Sequence, residues 1–223
     1  MGKIIAIEGL DGCGKETQTQ LLKERLSDLT EDNIYTVSFP SYGRTSSVLV
    51  TEYLNGRIQK DPNKVNPIAA ASFYALDRYI SYETQWKKWY DNNESIIIMD
   101  RYTTSNVLHQ THKLKTKEER IAFAKWIYDY EWDMLKLPKP DIEIFLSVPF
   151  DRNLKLLQGR KDLKDLHENV SYQKSCYDCF LEIKHNVLND INIINCSNEE
   201  GDLLNPNVIS DSIIQLLGNK EII

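Results

Sequence analysis

Lys3-Ile4-Ile5-Ala6-Ile7-Glu8 runs straight into Gly9-Leu10-Asp11-Gly12-Cys13-Gly14-Lys15, and Glu16-Thr17 then begins a segment with leucines at 21, 22, 26 and 29. The isoleucine run has the length and composition of a buried parallel strand. The leucines recur on one face of a helix over 15–29. Between them lies GxxxxGK, a phosphate-binding loop. Glycines there let backbone N–H groups converge on phosphate oxygens, the helix N-terminus adds partial positive charge, and Lys15 reaches the terminal phosphates. The whole span Gly9, Leu10, Asp11, Gly12, Cys13, Gly14, Lys15, Glu16 and Thr17 is therefore the expected ATP-binding segment. A strand–loop–helix unit of this kind sets the fold class as α/β.

Working outward, further short apolar runs at 35–39, 95–100, 141–147 and 191–196 read as strands. Helical patterns at 46–55, 67–91, 117–135, 150–157, 169–188 and 206–217 separate them. Asn66-Pro67 is an N-cap followed by proline at the first helical position, and Gly56 is a C-cap. Such alternation predicts a five-stranded parallel sheet with helices on both faces, a single domain over 1–223. The charged stretch 159–168 reads either as a short lid or as a solvated loop.

Composition narrows the function. A net charge of −6 argues against a nucleic-acid-binding surface. Hydrophobic residues at 41% and charged residues at 27% fit a soluble globular chain. The opening residues carry no secretory or transit signature and no apolar run is long enough to span a bilayer, so a cytoplasmic location is expected. Of Cys13, Cys176, Cys179 and Cys196, the CxxC pair lacks a second ligand pair nearby, which favours structural thiols over a zinc site.

One position departs from the loop pattern. The residue after Lys15 should be Ser or Thr to hold Mg²⁺, and it is Glu16, with Thr17 next. Adenylate kinases resemble this chain in that respect, which points to nucleotide kinases rather than GTPases or motor ATPases. Glu16 and Thr17 are accordingly the expected Mg²⁺ ligands, with Glu16 as a solvated first-turn carboxylate the alternative.

Several strings, in order along nearly the whole chain, resemble the thymidylate kinase family of P-loop nucleoside-monophosphate kinases. They are Glu8-Gly9-Leu10-Asp11-Gly12-Cys13-Gly14-Lys15, Phe39-Pro40-Ser41-Tyr42-Gly43, Phe73-Tyr74-Ala75-Leu76-Asp77-Arg78, Asp100-Arg101-Tyr102 followed by Ser105-Asn106, and Val148-Pro149. The resemblance implies a P-loop NTPase fold, transfer of the ATP γ-phosphoryl group to dTMP with Mg²⁺, and a homodimer. It implies a substrate site of Asp11, Phe39, Tyr74, Arg78, Arg101, Asn106 and His109, with Lys15, Arg101 and the lid residue Arg160 as catalytic cations.

The residue chemistry agrees with that assignment. Tyr74 and Arg78, four apart, share a helix face, where a ring can stack on a base and a guanidinium can bond its carbonyl. A core aromatic and a surface ion pair of Arg78 with Asp77 are the alternative. Arg101 leaves a strand end, where α/β sheets put ligands, and its fork suits the acceptor phosphate, a structural salt bridge being the alternative. Asp11 suits a 3′-hydroxyl or a metal-bound water, and Asn106 can donate and accept on a pyrimidine edge. His109 stands where the family often has a tyrosine that helps exclude a 2′-hydroxyl; a helix-surface histidine is the plainer reading. Thymidylate kinases supply a transition-state arginine either from the phosphate loop or from the lid. The loop here holds Gly12 and Cys13, so the resemblance implies the lid type, with Arg160 expected in that role among Arg160, Lys161 and Lys164. A deoxynucleoside kinase would want a carboxylate at the end of the second strand, which ends Ser38-Phe39-Pro40. A catalytically weak nucleotide-binding protein fits poorly with Lys15, Arg101 and that lid.

Overall fold

A computed structural model describes residues 1–158, 170–187 and 191–223. The expected lid at 159–168, with Arg160, Lys161 and Lys164, lies outside the described residues. Five strands, β1 (Lys3–Glu8), β2 (Asn33–Ser38), β3 (Ser95–Asp100), β4 (Ile142–Ser147) and β5 (Ile191–Asn195), form one sheet in the order β2-β3-β1-β4-β5. All four pairings are parallel. Successive residues of the apolar runs feed opposite faces, as the two-residue period of a strand requires. Ile5, Ile7, Ile96 and Ile98 pack on Leu22 and Leu26 of α1 (Lys15–Leu29) and on Ile213 and Leu217 of α9 (Pro206–Asn219). Ile4, Ala6, Ile97 and Met99 face Tyr82, Trp86 and Tyr102 on the other side. Burial of this kind stabilises by about 25 cal/mol per Å² of apolar surface.

The remaining helices are α2 (Val48–Leu54), α3 (Pro67–Ser81), α4 (Lys87–Tyr90), α5 (Thr103–Gln110), α6 (Lys117–Tyr128), α7 (Phe150–Gln158) and α8 (Val170–Val187). Asn66 caps α3 as expected, accepting from the backbone N–H groups of Ile68 and Ala69. Thr116 and Glu119 form a capping box on α6. Two of the expected helices are interrupted: the 67–91 segment passes through a π-turn at Tyr82–Trp86, and α6 continues into another at Asp129–Met134. The second strand starts two residues and ends one residue earlier than its sequence suggests. Helix α5 has no counterpart among the sequence expectations, and it carries part of the site. Among the described residues no helix is long and apolar enough to cross a membrane, and all four cysteines are buried free thiols.

Candidate functional site

Strand β1 delivers the loop at the carboxyl edge of the sheet, beside β3 and β4, where the strand order changes direction. Gly14 precedes α1 in the left-handed region (φ 93), and no side chain caps that helix, so its first N–H groups face the loop's concavity. A Cβ on Gly9 would stand 2.6 Å from Cys13 Sγ and 3.0 Å from the carbonyl of Leu146, so only glycine turns the chain there. Lys15 is buried with Nζ folded onto the loop's own carbonyls, 3.0 Å from Gly9 O and 2.7 Å from Leu10 O.

Glu8, the last residue of β1, is fully buried, and its carboxylate ties the two ligand-bearing turns together. It accepts from the backbone N–H groups of Tyr102 (2.7 Å) and Ser105 (3.2 Å) and from the Ser105 hydroxyl (2.5 Å). These are the first donors of α5, which has no cap from its own N-cap residue. Burial pushes the Glu8 carboxyl above the usual range, and its bonds with Ser105 and Tyr102 and the charge of Arg101 pull the other way.

Arg101 sits just past β3 with its N–H on Ile7 O and a left-handed backbone (φ 70). That conformation costs a non-glycine residue about 1–2 kcal/mol, and it turns the guanidinium toward the loop. There Arg101 is paired with Asp11, and it donates to His109 Nε2 at 3.4 Å. Burial would raise the Asp11 pKa, but the Arg101 guanidinium above all, together with Lys15 and the bond from Gln173, holds the carboxyl well below the usual range. Burial likewise opposes the Arg101 charge, and Asp11 and Asp100 more than restore it.

His109 is not a surface histidine. Because Arg101 can only donate, His109 Nε2 accepts and the ring proton belongs on Nδ1, which reaches Tyr172 Oη at 3.3 Å; that hydroxyl donates in turn to His109 O at 3.2 Å. Asp11 is held from two further helices: Asn153 of α7 donates to its carbonyl (2.8 Å) and Gln173 of α8 to its carboxylate (2.5 Å). The helices on either side of the expected lid therefore both grip the phosphate loop.

The second half of the expected site lies across α3 and α5. Tyr74 is half-buried, edge-on to Tyr53 with ring centroids 6.2 Å apart. Arg78 has 1% exposure and does not pair with Asp77, whose Oδ2 accepts from Ser41 N at 2.8 Å. Its partner is Glu131, at 0% exposure: Nε donates at 2.6 Å and Nη2 at 2.5 Å. The alternative of a surface ion pair is thus overturned. Burial opposes the Arg78 charge, but Glu131 keeps its pKa above the ordinary value. Phe39 is buried with its ring 6.0 Å from the Arg78 guanidinium carbon, supporting it from one side. Asn106 is buried, donating to Ala71 O (3.0 Å) and to Glu131 (2.9 Å). Glu16 and Thr17 are exposed on the first turn of α1, whereas Oδ1 of Asp100 is buried with no partner among the described residues.

Sequence reasoning missed Glu8, Glu131, Asn153, Tyr172 and Gln173. Only Glu8 left a signal, a carboxylate closing an otherwise apolar strand. The others meet the site through contacts spanning 25 to 162 residues.

A family model described as thymidylate kinase matches residues 7–206. Thymidylate kinase of Mycobacterium tuberculosis (strain H37Rv) is 34% identical over 151 residues, covering 65% of this chain and 65% of that protein. A probable thymidylate kinase of Methanococcus maripaludis (strain C6) is 30% identical over 174 residues, 78% of this chain and 73% of the relative. The chain thus spans just under two thirds of the mycobacterial relative's length. The solved structure of thymidylate kinase from Candida albicans superposes with a TM-score of 0.73 at 22% identity, covering 99% of this chain and 92% of that one. That likeness establishes the fold, a parallel sheet built around a phosphate-binding loop.

Proposed function

Because the chain belongs to the thymidylate kinase family, we propose that it transfers the γ-phosphoryl group of ATP to the 5′-phosphate of dTMP, giving dTDP and ADP. The observation that carries this reading is the Arg101–Asp11 pair at the mouth of the phosphate loop. A guanidinium there can clamp an acceptor phosphate while the loop holds the donor. An acceptor oxygen of dTMP attacks the γ-phosphorus as the bond to the β,γ-bridging oxygen breaks. The acceptor phosphate is already ionised, so the step needs positioning and charge stabilisation rather than a general base.

In this reading the loop N–H groups from Gly9 to Thr17 bind the ATP phosphates, and Lys15 leaves its two carbonyls to meet the β- and γ-oxygens. Arg160 supplies the cation on the transferred group, Asp11 or His109 meets the deoxyribose, and Tyr74 stacks on the base. Arg78 Nη1, which Glu131 leaves uncommitted, donates to the 4-carbonyl of thymine, and Asn106 Oδ1 accepts from N3–H. With ATP and Mg²⁺, dTMP should show the highest kcat/KM in an ADP-release assay across dTMP, dUMP, dCMP, UMP, AMP and GMP. Faster turnover of AMP or GMP would remove the thymidylate reading and leave a nucleotide kinase.

Mg²⁺ generally keeps several waters and takes one or two carboxylates together with substrate phosphates. The orphaned Oδ1 of Asp100 fits that requirement better than the exposed Glu16 and Thr17. Asp100 is therefore the proposed protein anchor, with Glu16 and Thr17 at most contacting the metal through water. When bound, the ion neutralises charge on the β- and γ-phosphates. Asp100→Asn should raise the Mg²⁺ concentration for half-maximal rate by about 10-fold, the loss expected when a metal's carboxylate support is weakened. Glu16→Ser should leave it nearly unchanged, and the opposite ranking in a Mg²⁺ titration would return the role to Glu16. A homodimer in the cytoplasm belongs to the same reading and rests on the family alone.

A further inference from the structure

We infer that Glu131 sets the donor–acceptor polarity of the base-reading edge and is thereby a specificity-determining positioning residue for 4-oxo over 4-amino pyrimidines. This rests on the proposed roles of Arg78 and Asn106 but concerns a residue that takes no part in them directly.

Glu131 lies in the π-turn after α6 and receives four hydrogen bonds, two on each oxygen. Oε1 accepts from Arg78 Nη2 (2.5 Å) and Asn106 Nδ2 (2.9 Å); Oε2 accepts from Arg78 Nε (2.6 Å) and Thr103 Oγ1 (2.9 Å). A buried carboxylate is tolerated only when its lone pairs are met in this way. The consequence falls on its donors. Arg78 has two of its three nitrogens committed, so its guanidinium plane is fixed and Nη1 is the nitrogen left over. Asn106 has both protons of its amide committed, one to Glu131 and one to Ala71 O. Its amide therefore cannot rotate without losing both bonds, and Oδ1 is the atom it can offer outward.

Because Arg78 and Asn106 are both anchored on Oε1 of Glu131, the one keeps a nitrogen to donate with and the other an oxygen to accept with. Thymine and uracil show the complementary pair, a 4-carbonyl acceptor next to an N3–H donor. Cytosine shows a 4-amino donor next to an N3 acceptor and would meet a donor with a donor and an acceptor with an acceptor. A neutral amide at position 131 could not hold this polarity. Its NH₂ group cannot accept from Arg78 or Asn106, and the freed Asn106 amide could turn over.

The test is the ratio of kcat/KM for dTMP to that for dCMP in the full-length enzyme. Glu131→Gln should lower this ratio about 10-fold or more, the scale at which a mismatched buried polar group is penalised. The change should appear mainly in KM for dTMP, with the KM for ATP within about twofold. Glu131→Asp, one methylene shorter, cannot reach both α3 and α5 and should lower the ratio less. If Glu131→Gln does not fold, the aspartate variant decides on the same readout. A purely structural residue would lower thermal stability and leave the ratio unchanged, and that result would overturn the inference. Wild-type enzyme that does not favour dTMP over dCMP would instead overturn the assignment of Arg78 and Asn106 to thymine.

Discussion

Replacing Arg101 by alanine is expected to lower kcat/KM for dTMP by roughly 10²-fold, since removing one member of a buried charge pair costs about 2–5 kcal/mol and this pair, with side chains 19% and 21% exposed, belongs toward the lower end. Two effects act together. The acceptor phosphate loses its fork, and Asp11, whose carboxyl Arg101 holds ionised, becomes an uncompensated negative charge beside the incoming phosphate. Arg101→Lys should recover only part of the loss, because an ammonium cannot form the two parallel bonds of a guanidinium. The backbone offers a separate check. At φ 70 glycine is unstrained and alanine is not, so Arg101→Gly should be as inactive as Arg101→Ala yet more stable by about 1 kcal/mol. For a chain of this size that is a melting temperature roughly 2–4 °C higher. Equal melting temperatures would mean that the strained turn relaxes when the side chain is lost.

Lys15→Ala is expected to lower kcat by about 10²-fold or more, the scale of removing one preorganised charge contact from a transition state. The folded-back position of Nζ on Gly9 O and Leu10 O gives the prediction a second part. Those two bonds brace the loop before nucleotide enters, and they must be exchanged for phosphate oxygens when it does. The alanine variant should therefore gain little thermal stabilisation from ATP, where the wild type should gain several degrees at saturating nucleotide. Near-normal turnover in Lys15→Ala, measured by coupled ADP release, would show that the ammonium does not touch the transferred group. Lys15→Met, which fills the same space without charge, separates loss of packing from loss of charge.

The sequence by itself determined the sheet, the loop and most helices, because each of these signals is local. A strand reveals itself by an apolar run, a helix by its 3.6-residue period, and the phosphate loop by the spacing of its glycines and lysine. Gly9, Gly14 and Lys15 are legible in this way, as is Asn66 at the start of α3, whereas the Asp100-Arg101-Tyr102 turn at the end of β3 was legible through the family resemblance. Helix α5 was not legible. Its opening Thr103-Thr104-Ser105 has neither an apolar period nor a local cap, and the group that satisfies its first donors is Glu8, 94 to 97 residues earlier. Arg78 was legible as a functional cation but not as a buried one, because the charge that makes its burial tolerable sits 53 residues away on a π-turn. Nor could the sequence separate a surface His109 from one wedged between Arg101 and Tyr172. Periodicity and turn stereochemistry are properties of neighbouring residues, whereas the pairing of buried charges is settled only once the sheet and its helices have brought distant carboxylates and guanidiniums into one desolvated space.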